Sequence, residues 1–284
     1  MNTTNIYYTI DKPNVLYLVY KRLRIAFGVP IGFMLMYAAY TGSPFTLILL
    51  MSGFGVLCIQ LFGDFYNDYV DYSEDIRNER HDKITTNKIL SLYHVRNLSL
   101  SLLFAGLIVL GLTHMSLFIW GLCYSILLWA YSAQSIRLKK YNIMGYIVAG
   151  SPFLFLPYFL GDSFRGGLAT PDLVFLSLFY FTQCMYISCQ KDSTDTKDVT
   201  NLFIDKGWKQ ASFITLIFAS LSSISLLSLC LNSVWLLSVW GINFSSKILN
   251  VSKIWKKEMS RELRSKLILV EFLTPYLYLL AVLL

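Results

Sequence analysis

Aspartates gather at two places in this chain, Asn67-Asp68-Tyr69-Val70-Asp71-Tyr72-Ser73-Glu74-Asp75 and Lys191-Asp192-Ser193-Thr194-Asp195-Thr196-Lys197-Asp198. Each cluster follows directly on a hydrophobic run long enough to cross a bilayer. Like charges packed at a low-dielectric mouth are expensive unless something compensates them. A divalent cation does so well. Donors that are all oxygen, with no His or Cys beside them, favour Mg2+ over zinc or copper. Mg2+ commonly binds through one or two carboxylates plus substrate phosphates, so two facing carboxylate patches would suit a diphosphate clamped between metal ions.

Helical geometry sharpens the first cluster. If the preceding helix runs on through it, Asp64, Asn67, Asp68, Asp71 and Asp75 fall within an arc of about 100°. In the second cluster Asp192, Asp195 and Asp198 fan over about 120°, with Lys191 beside them. Neither cluster has the glycine and the closing glutamate of an EF-hand loop. Cations that could hold phosphate oxygens stand nearby in sequence: Lys83, Lys191, and Arg137 with Lys139 in Tyr131-Ser132-x4-Arg137-Leu138-Lys139. Arginine would do this as a planar fork and lysine as a point charge.

The elements that must position these groups are membrane helices. The 284 residues are 55% hydrophobic and 14% charged, against roughly 25% charged in a soluble domain. Nine apolar spans are expected near 17–40, 44–63, 96–113, 115–133, 143–161, 171–189, 210–231, 233–249 and 267–284, in one all-α domain over 1–284 surrounding a central cavity. The eighth, with Asn243, Ser245 and Ser246, is expected to be short, broken or tilted. The polar N-terminus has no short apolar core of a signal peptide, so the first run is read as a retained span. All but one of the 24 Lys and Arg residues fall in the N-terminal region or in the loops after spans 2, 4, 6 and 8. The exception is Arg165. The positive-inside rule then places the N-terminus and both acidic mouths in the cytoplasm. This asymmetry accounts for the net charge of +7 without a nucleic-acid partner. The basic stretch 247–266 reads mainly as such a topology signal. Cys58, Cys123, Cys184, Cys189 and Cys230 are scattered through apolar segments and suggest neither a disulfide framework nor a zinc site. His81, His94 and His114 form no metal-ligand pattern.

With those residues in place, the chain resembles the UbiA superfamily of intramembrane prenyltransferases. The family pattern N-D-x-x-D-x-x-x-D matches Asn67, Asp68, Asp71 and Asp75. Y-S-x4-R-L-K matches Tyr131, Ser132, Arg137, Leu138 and Lys139, and the second acidic motif matches Lys191-Asp192-x-x-Asp195. Two features depart from the pattern. The segment Lys83–Lys88 stands where members often carry R-P-x-x-S-G, and Asp198 lies one residue closer to Asp195 than the usual D-x-x-x-D. The resemblance implies nine transmembrane helices and catalysis by Asp68, Asp71, Asp192 and Asp195. It implies Mg2+ held by these with Asn67, Asp75 and Asp198, and diphosphate held by Lys83, Tyr131, Ser132, Arg137, Lys139 and Lys191.

The expected reaction is ionisation of a prenyl diphosphate and transfer of its prenyl group to a lipophilic acceptor, aromatic or a quinone precursor, at the surface of the lipid bilayer. Aromatic faces would shelter the carbocation, and the chain has 20 Phe and 19 Tyr. Two other readings differ from this one. A terpene cyclase would capture the cation internally. A non-enzymatic transporter would place its ionisable groups near the bilayer midplane rather than at helix ends.

Overall fold

The computed structural model describes residues 27–43, 46–77, 83, 85–86, 89–141, 143–165, 173–194 and 201–284. Within them the backbone is helical, and nine helices of ten residues or more answer to the nine expected spans. They are α1 (Gly32–Thr41, entered through a π-helical turn at Phe27–Ile31), α2 (Leu47–Val70), α4 (Leu92–Thr113), α5 (Met115–Ser132), α6 (Ile143–Arg165), α7 (Val174–Asp192), α9 (Trp208–Cys230), α10 (Val234–Trp255) and α11 (Arg261–Leu283). The short α3 (Tyr72–Arg77) and α8 (Leu202–Asp205) follow the two acid-bearing helices. Side-chain caps start several of them: Thr46 accepts from Leu49 N–H at 3.3 Å, and Ser260 from Leu263 N–H at 3.1 Å. Each cap satisfies one of the orphan donors of a first turn.

Six of these helices are long and apolar enough to cross a membrane: 47–70, 92–113, 115–132, 143–164, 208–230 and 262–283. Their outward faces carry uncovered apolar side chains, such as Phe104, Ile108 and Leu112 on α4 and Phe213, Ile217 and Ile224 on α9. Such a belt fits hydrocarbon rather than water. α7 and α10 are as long but less apolar, because Gln183 and Gln190 on α7 and Asn243, Lys247 and Asn250 on α10 are turned inward and buried. The eighth expected span is thus neither short nor broken; α10 is one 22-residue helix. Lys247 belongs to that helix and is only 2% exposed, so it does not serve as a loop charge.

The helices pack as a closed ring. α5, α6, α7, α9, α10 and α11 follow one another, α11 returns to α1, and the π-helical turn before α1 meets α2. α2 also packs closely along α4. The α2–α4 approach depends on missing side chains: a Cβ on Gly106 would stand 2.9 Å from Ile59 Cδ1 and 3.0 Å from the Gly55 carbonyl oxygen. Gly106→Val is expected to cost about 1–3 kcal/mol by overpacking, read as a lowered Tm in detergent. Gly241→Ala, where nothing lies within 4 Å, is expected to leave Tm unchanged or raise it.

The bundle interior is aromatic. Phe33 stacks on Tyr180 with centroids 3.9 Å apart, Phe153 meets Phe33 edge-on at 5.3 Å, and Tyr124 meets Phe153 at 5.6 Å. A second interior feature is ionic. Lys247 donates to Ser222 Oγ at 2.8 Å and Asn243 Oδ1 at 2.7 Å, and its ammonium lies 3.8 Å from Glu271. Glu271 in turn accepts from Gln183 at 2.6 Å and Asn243 at 2.8 Å. One network thus joins α7, α9, α10 and α11.

Candidate active site

The first acidic cluster is carried out of the bundle on α2, which continues past the expected end of its span to Val70. Asp71 interrupts the helix (φ −86°, ψ 1°). The pairing nevertheless resumes across the break, with Asp71 N–H on Asn67 O at 2.9 Å and Asp75 N–H on Asp71 O at 2.8 Å. The acids therefore keep roughly the common face that a continuous helix would give them, although the helix is not continuous. Asp68 is fully buried, and Asp71 and Asp75 are buried with it.

Buried carboxylates must be compensated, and here the compensation comes from the cations picked out in the sequence. Lys83 Nζ meets Asp68 Oδ1 at 2.7 Å. Arg137 reaches Asp71 Oδ1 at 3.3 Å and also pairs with Glu74. Lys139 pairs with the second oxygen of Asp71 and donates to Asn67 Oδ1 at 3.0 Å, where Ser132 Oγ also donates at 3.1 Å. Arg137 holds its place at a cost. Its φ is +46°, a left-handed conformation that costs a non-glycine residue about 1–3 kcal/mol and persists where the surroundings fix it. Its Nε is buried without a hydrogen-bond partner among the described residues, so the guanidinium has a donor those residues leave unused. Burial pushes the Lys139 ammonium down to about 8; Asp71 pulls it back up, while Arg137 and Lys191 oppose its charge.

That repulsion places Lys191, an exposed side chain at the end of α7, within electrostatic reach of the first cluster. The segment between α5 and α6 links both acidic helices. Lys139, in its 3-10 turn (Leu138–Tyr141), holds the α2 cluster, and Tyr146, in the first turn of α6, donates its hydroxyl to Asp192 Oδ2. Asp192 also receives Leu202 N–H at 3.3 Å, and its carbonyl accepts from Asn201 Nδ2 at 2.6 Å. Tyr131 lies within electrostatic reach of Tyr146. Asp195 and Asp198 fall outside the described residues. The structure thus brings Asn67, Asp68, Asp71, Lys83, Ser132, Arg137 and Lys139 into direct contact, with Asp75 buried next to them and Asp192 and Lys191 across the linking segment.

Glu74, Tyr146 and Asn201 belong to the same constellation and were not singled out from sequence. Glu74 carried a signal, its place in the acidic run. Tyr146 and Asn201 carried none, because only the fold sets them against Asp192.

Among the described residues no three His, Cys, Asp or Glu side chains converge as a ready-made metal cage. The donor set still fits Mg2+, which needs only one or two carboxylates if phosphate oxygens complete its shell. Asp68, Asp71 and Asn67 present such oxygens, and the spare Arg137 Nε is suited to an anionic oxygen. The five cysteines are unpaired thiols.

The fold is similar to several solved structures. A UbiA homolog from Archaeoglobus fulgidus bound to GPP and Mg2+ superimposes with a TM-score of 0.66 at 14% identity, covering 93% of this chain and 99% of that one. The apo structure of a UbiA homolog from Aeropyrum pernix K1 gives 0.71 at 13% identity, covering 91% and 96%. A digeranylgeranylglyceryl phosphate synthase gives 0.60 at 21% identity, covering 93% and 94%. A search of curated proteins finds no match. The sequence itself matches the model of the UbiA prenyltransferase family over residues 28–273. With that match, this helical ring and its two acid-bearing helices, the chain belongs to the UbiA prenyltransferase family.

Proposed function

We propose that this protein is an Mg2+-dependent intramembrane prenyltransferase, one domain over 1–284 whose nine helices all cross the bilayer, with the N-terminus and the acidic mouth cytoplasmic. The observation that carries this reading is the convergence of Lys83, Arg137 and Lys139 on Asn67, Asp68 and Asp71, with Asp192 held opposite by Tyr146. Support comes from the A. fulgidus homolog, which has been solved with GPP and with DMAPP, each with Mg2+. In this chain Asp68, Asp71, Asp192 and Asp195, with Asn67, Asp75 and Asp198, would hold Mg2+. The ion would supply charge neutralisation for a departing diphosphate.

The chain's own residues do the rest. Lys83, Arg137, Lys139 and Lys191 bind the diphosphate oxygens, with the Arg137 fork fixing orientation. Tyr131 and Ser132 stand where the end of α5 meets Asn67 and complete the polar wall. As the allylic C–O bond breaks, these preset charges stabilise the leaving group without reorganising. The aromatic interior keeps water from the cation and offers it π faces. A lipophilic acceptor reaches the site from the bilayer and attacks the cation. No covalent enzyme nucleophile is needed.

The test is diphosphate release by the purified full-length protein in detergent, with prenyl diphosphates of increasing length, in Mg2+ or in EDTA. Release in Mg2+ and its loss in EDTA are expected. No release from any donor, even with membrane extract added as a source of acceptor, would sink the reading. A cyclised product formed without acceptor would assign the chain to terpene cyclisation instead, the outcome to which the missing R-P-x-x-S-G segment points.

A further inference from the structure

α9 and α10 lie side by side without closing fully on one another, and a groove of about 310 Å³ runs between them. The side chains leave it open. α9 brings Ala219, Ser220 and Ser223 to the seam, where α10 brings Phe244, Ile248 and Trp255. Residues three and four apart share a face of a helix, so the small ones line one wall and the large ones the other. Ala219 and Val251 are buried at the floor, while Leu216, Ile248 and Trp255 keep much of their apolar surface uncovered. Lys247 lends only its carbon stem, because its ammonium turns inward to Ser222 and Asn243. The walls are therefore almost wholly apolar. One end is not. Lys256 closes the groove beside Trp255, in a stretch, 253–266, that carries six Lys and Arg against two Glu. Both glutamates are engaged within it, Glu258 by Lys253 at 2.7 Å and Glu262 by Lys266 at 2.8 Å. Trp208 braces this end: its Nε1 donates to the Ile254 carbonyl at 2.6 Å, and the Lys257 ammonium stands 5.7 Å from its ring. None of the residues of the acidic mouth lines the groove.

We propose that this groove is a binding site for an anionic phospholipid, with one acyl chain along the seam of α9 and α10 and the phosphate at Lys256. Three features select that occupant. The first is length. From Phe244 to Lys256 the helix rises about 18 Å, close to half of the roughly 30 Å hydrocarbon core, so the groove runs the depth of one leaflet. The second is width. A second helix, 10–12 Å across, would fill more than about 1,000 Å³ over that length, far more than the groove holds, whereas a single chain is slender enough. The third is the division of charge. Apolar walls that end in a cationic rim match a molecule with an apolar chain and an anionic head. Lysines at a membrane surface attract anionic lipid, and an indole such as that of Trp255 settles at headgroup level. A zwitterionic lipid would satisfy the walls and not the rim.

The experiment titrates delipidated full-length protein in detergent with dioleoyl phosphatidylglycerol or dioleoyl phosphatidylcholine, and native mass spectrometry counts the lipid retained. The wild type is expected to hold phosphatidylglycerol more tightly than phosphatidylcholine. Lys256→Gln should weaken phosphatidylglycerol about fivefold, the worth of one basic residue at an anionic surface, and leave phosphatidylcholine unchanged. Arg96→Gln removes an exposed cation from α4 instead and should change neither. Ser220→Trp, at an exposed position on the groove wall, should fill the groove and abolish retention while Tm in detergent alone is kept. Ile248→Trp repeats that test from the opposite wall, and if either variant folds poorly the other decides with Lys256→Gln. Equal affinity for the two lipids overturns the proposal. So does an equal loss in Arg96→Gln and Lys256→Gln, which would mark diffuse attraction, or full retention in a well-folded tryptophan variant. Displacement of the lipid by an equal concentration of glycerol 3-phosphate would also overturn it, by showing an anion site that has no use for the chain.

Discussion

Asp71→Ala is expected to lower kcat/KM for the prenyl diphosphate by roughly a thousandfold or more, the scale on which single preset electrostatic contacts act. Asp192→Ala should do the same from the other helix. Asp71 takes both Arg137 and Lys139. Its loss removes a charge and also releases two cations from their fixed positions, so transition-state stabilisation falls further than the loss of one charge would suggest. Steady-state release of diphosphate over a range of Mg2+ concentrations checks this. A size-exclusion profile in detergent confirms that the variant is folded. Full activity in a well-folded Asp71→Ala protein would falsify the clamp, whatever the other residues do.

The second large effect concerns stability. Lys247 is 2% and Glu271 3% exposed, inside the helical bundle. Removing one member of such a pair leaves a buried charge uncompensated, which costs about 3–5 kcal/mol. Lys247→Met and Glu271→Gln are each expected to lower Tm markedly in detergent. The double variant should recover much of the loss, since Gln183, Asn243 and Ser222 remain to satisfy neutral groups. A double-mutant cycle measures the coupling. Strict additivity of the two losses would show that the ammonium and the carboxylate do not act as a pair.

Helix positions were legible because apolar runs in a membrane protein are set by bilayer thickness. The span expected at 115–133 corresponds to a helix at 115–132, and the one at 143–161 to a helix at 143–165. Ends were misjudged where polar residues ride on helices beyond the apolar stretch, as on α2, which carries Asn67 and Asp68 still in helical form. The same cause made α10 look broken. Its Asn243 and Lys247 resemble a loop by hydropathy, but they are buried on one face against partners from α9 and α11, with Ser246 buried beside them. Hydropathy sees a residue's transfer cost and not the distant residue that offsets it. Lys247 was therefore counted with the loop lysines, although its carbon stem and charge both lie inside. In the site, the residues of the two motifs came from pattern, and the structure set most of those described in mutual contact. The supports of Asp192 came from far along the chain, and no local spacing reports them.

Carboxylates of the mouth are already held by the chain's own cations, with Lys83 on Asp68 and both Arg137 and Lys139 on Asp71. On the proposed reading, a metal that draws Asp68 or Asp71 toward itself would loosen the hold on a lysine or an arginine. The displaced cation then needs another anion at once, and a diphosphate provides it. Either visitor alone would meet carboxylates and cations that already hold one another; together they would exchange partners with the protein. Binding of the two is therefore thermodynamically coupled, each tightening the other by the same factor. On that reading the resting mouth would behave as a coincidence detector, assembling when Mg2+ and a diphosphate are present together.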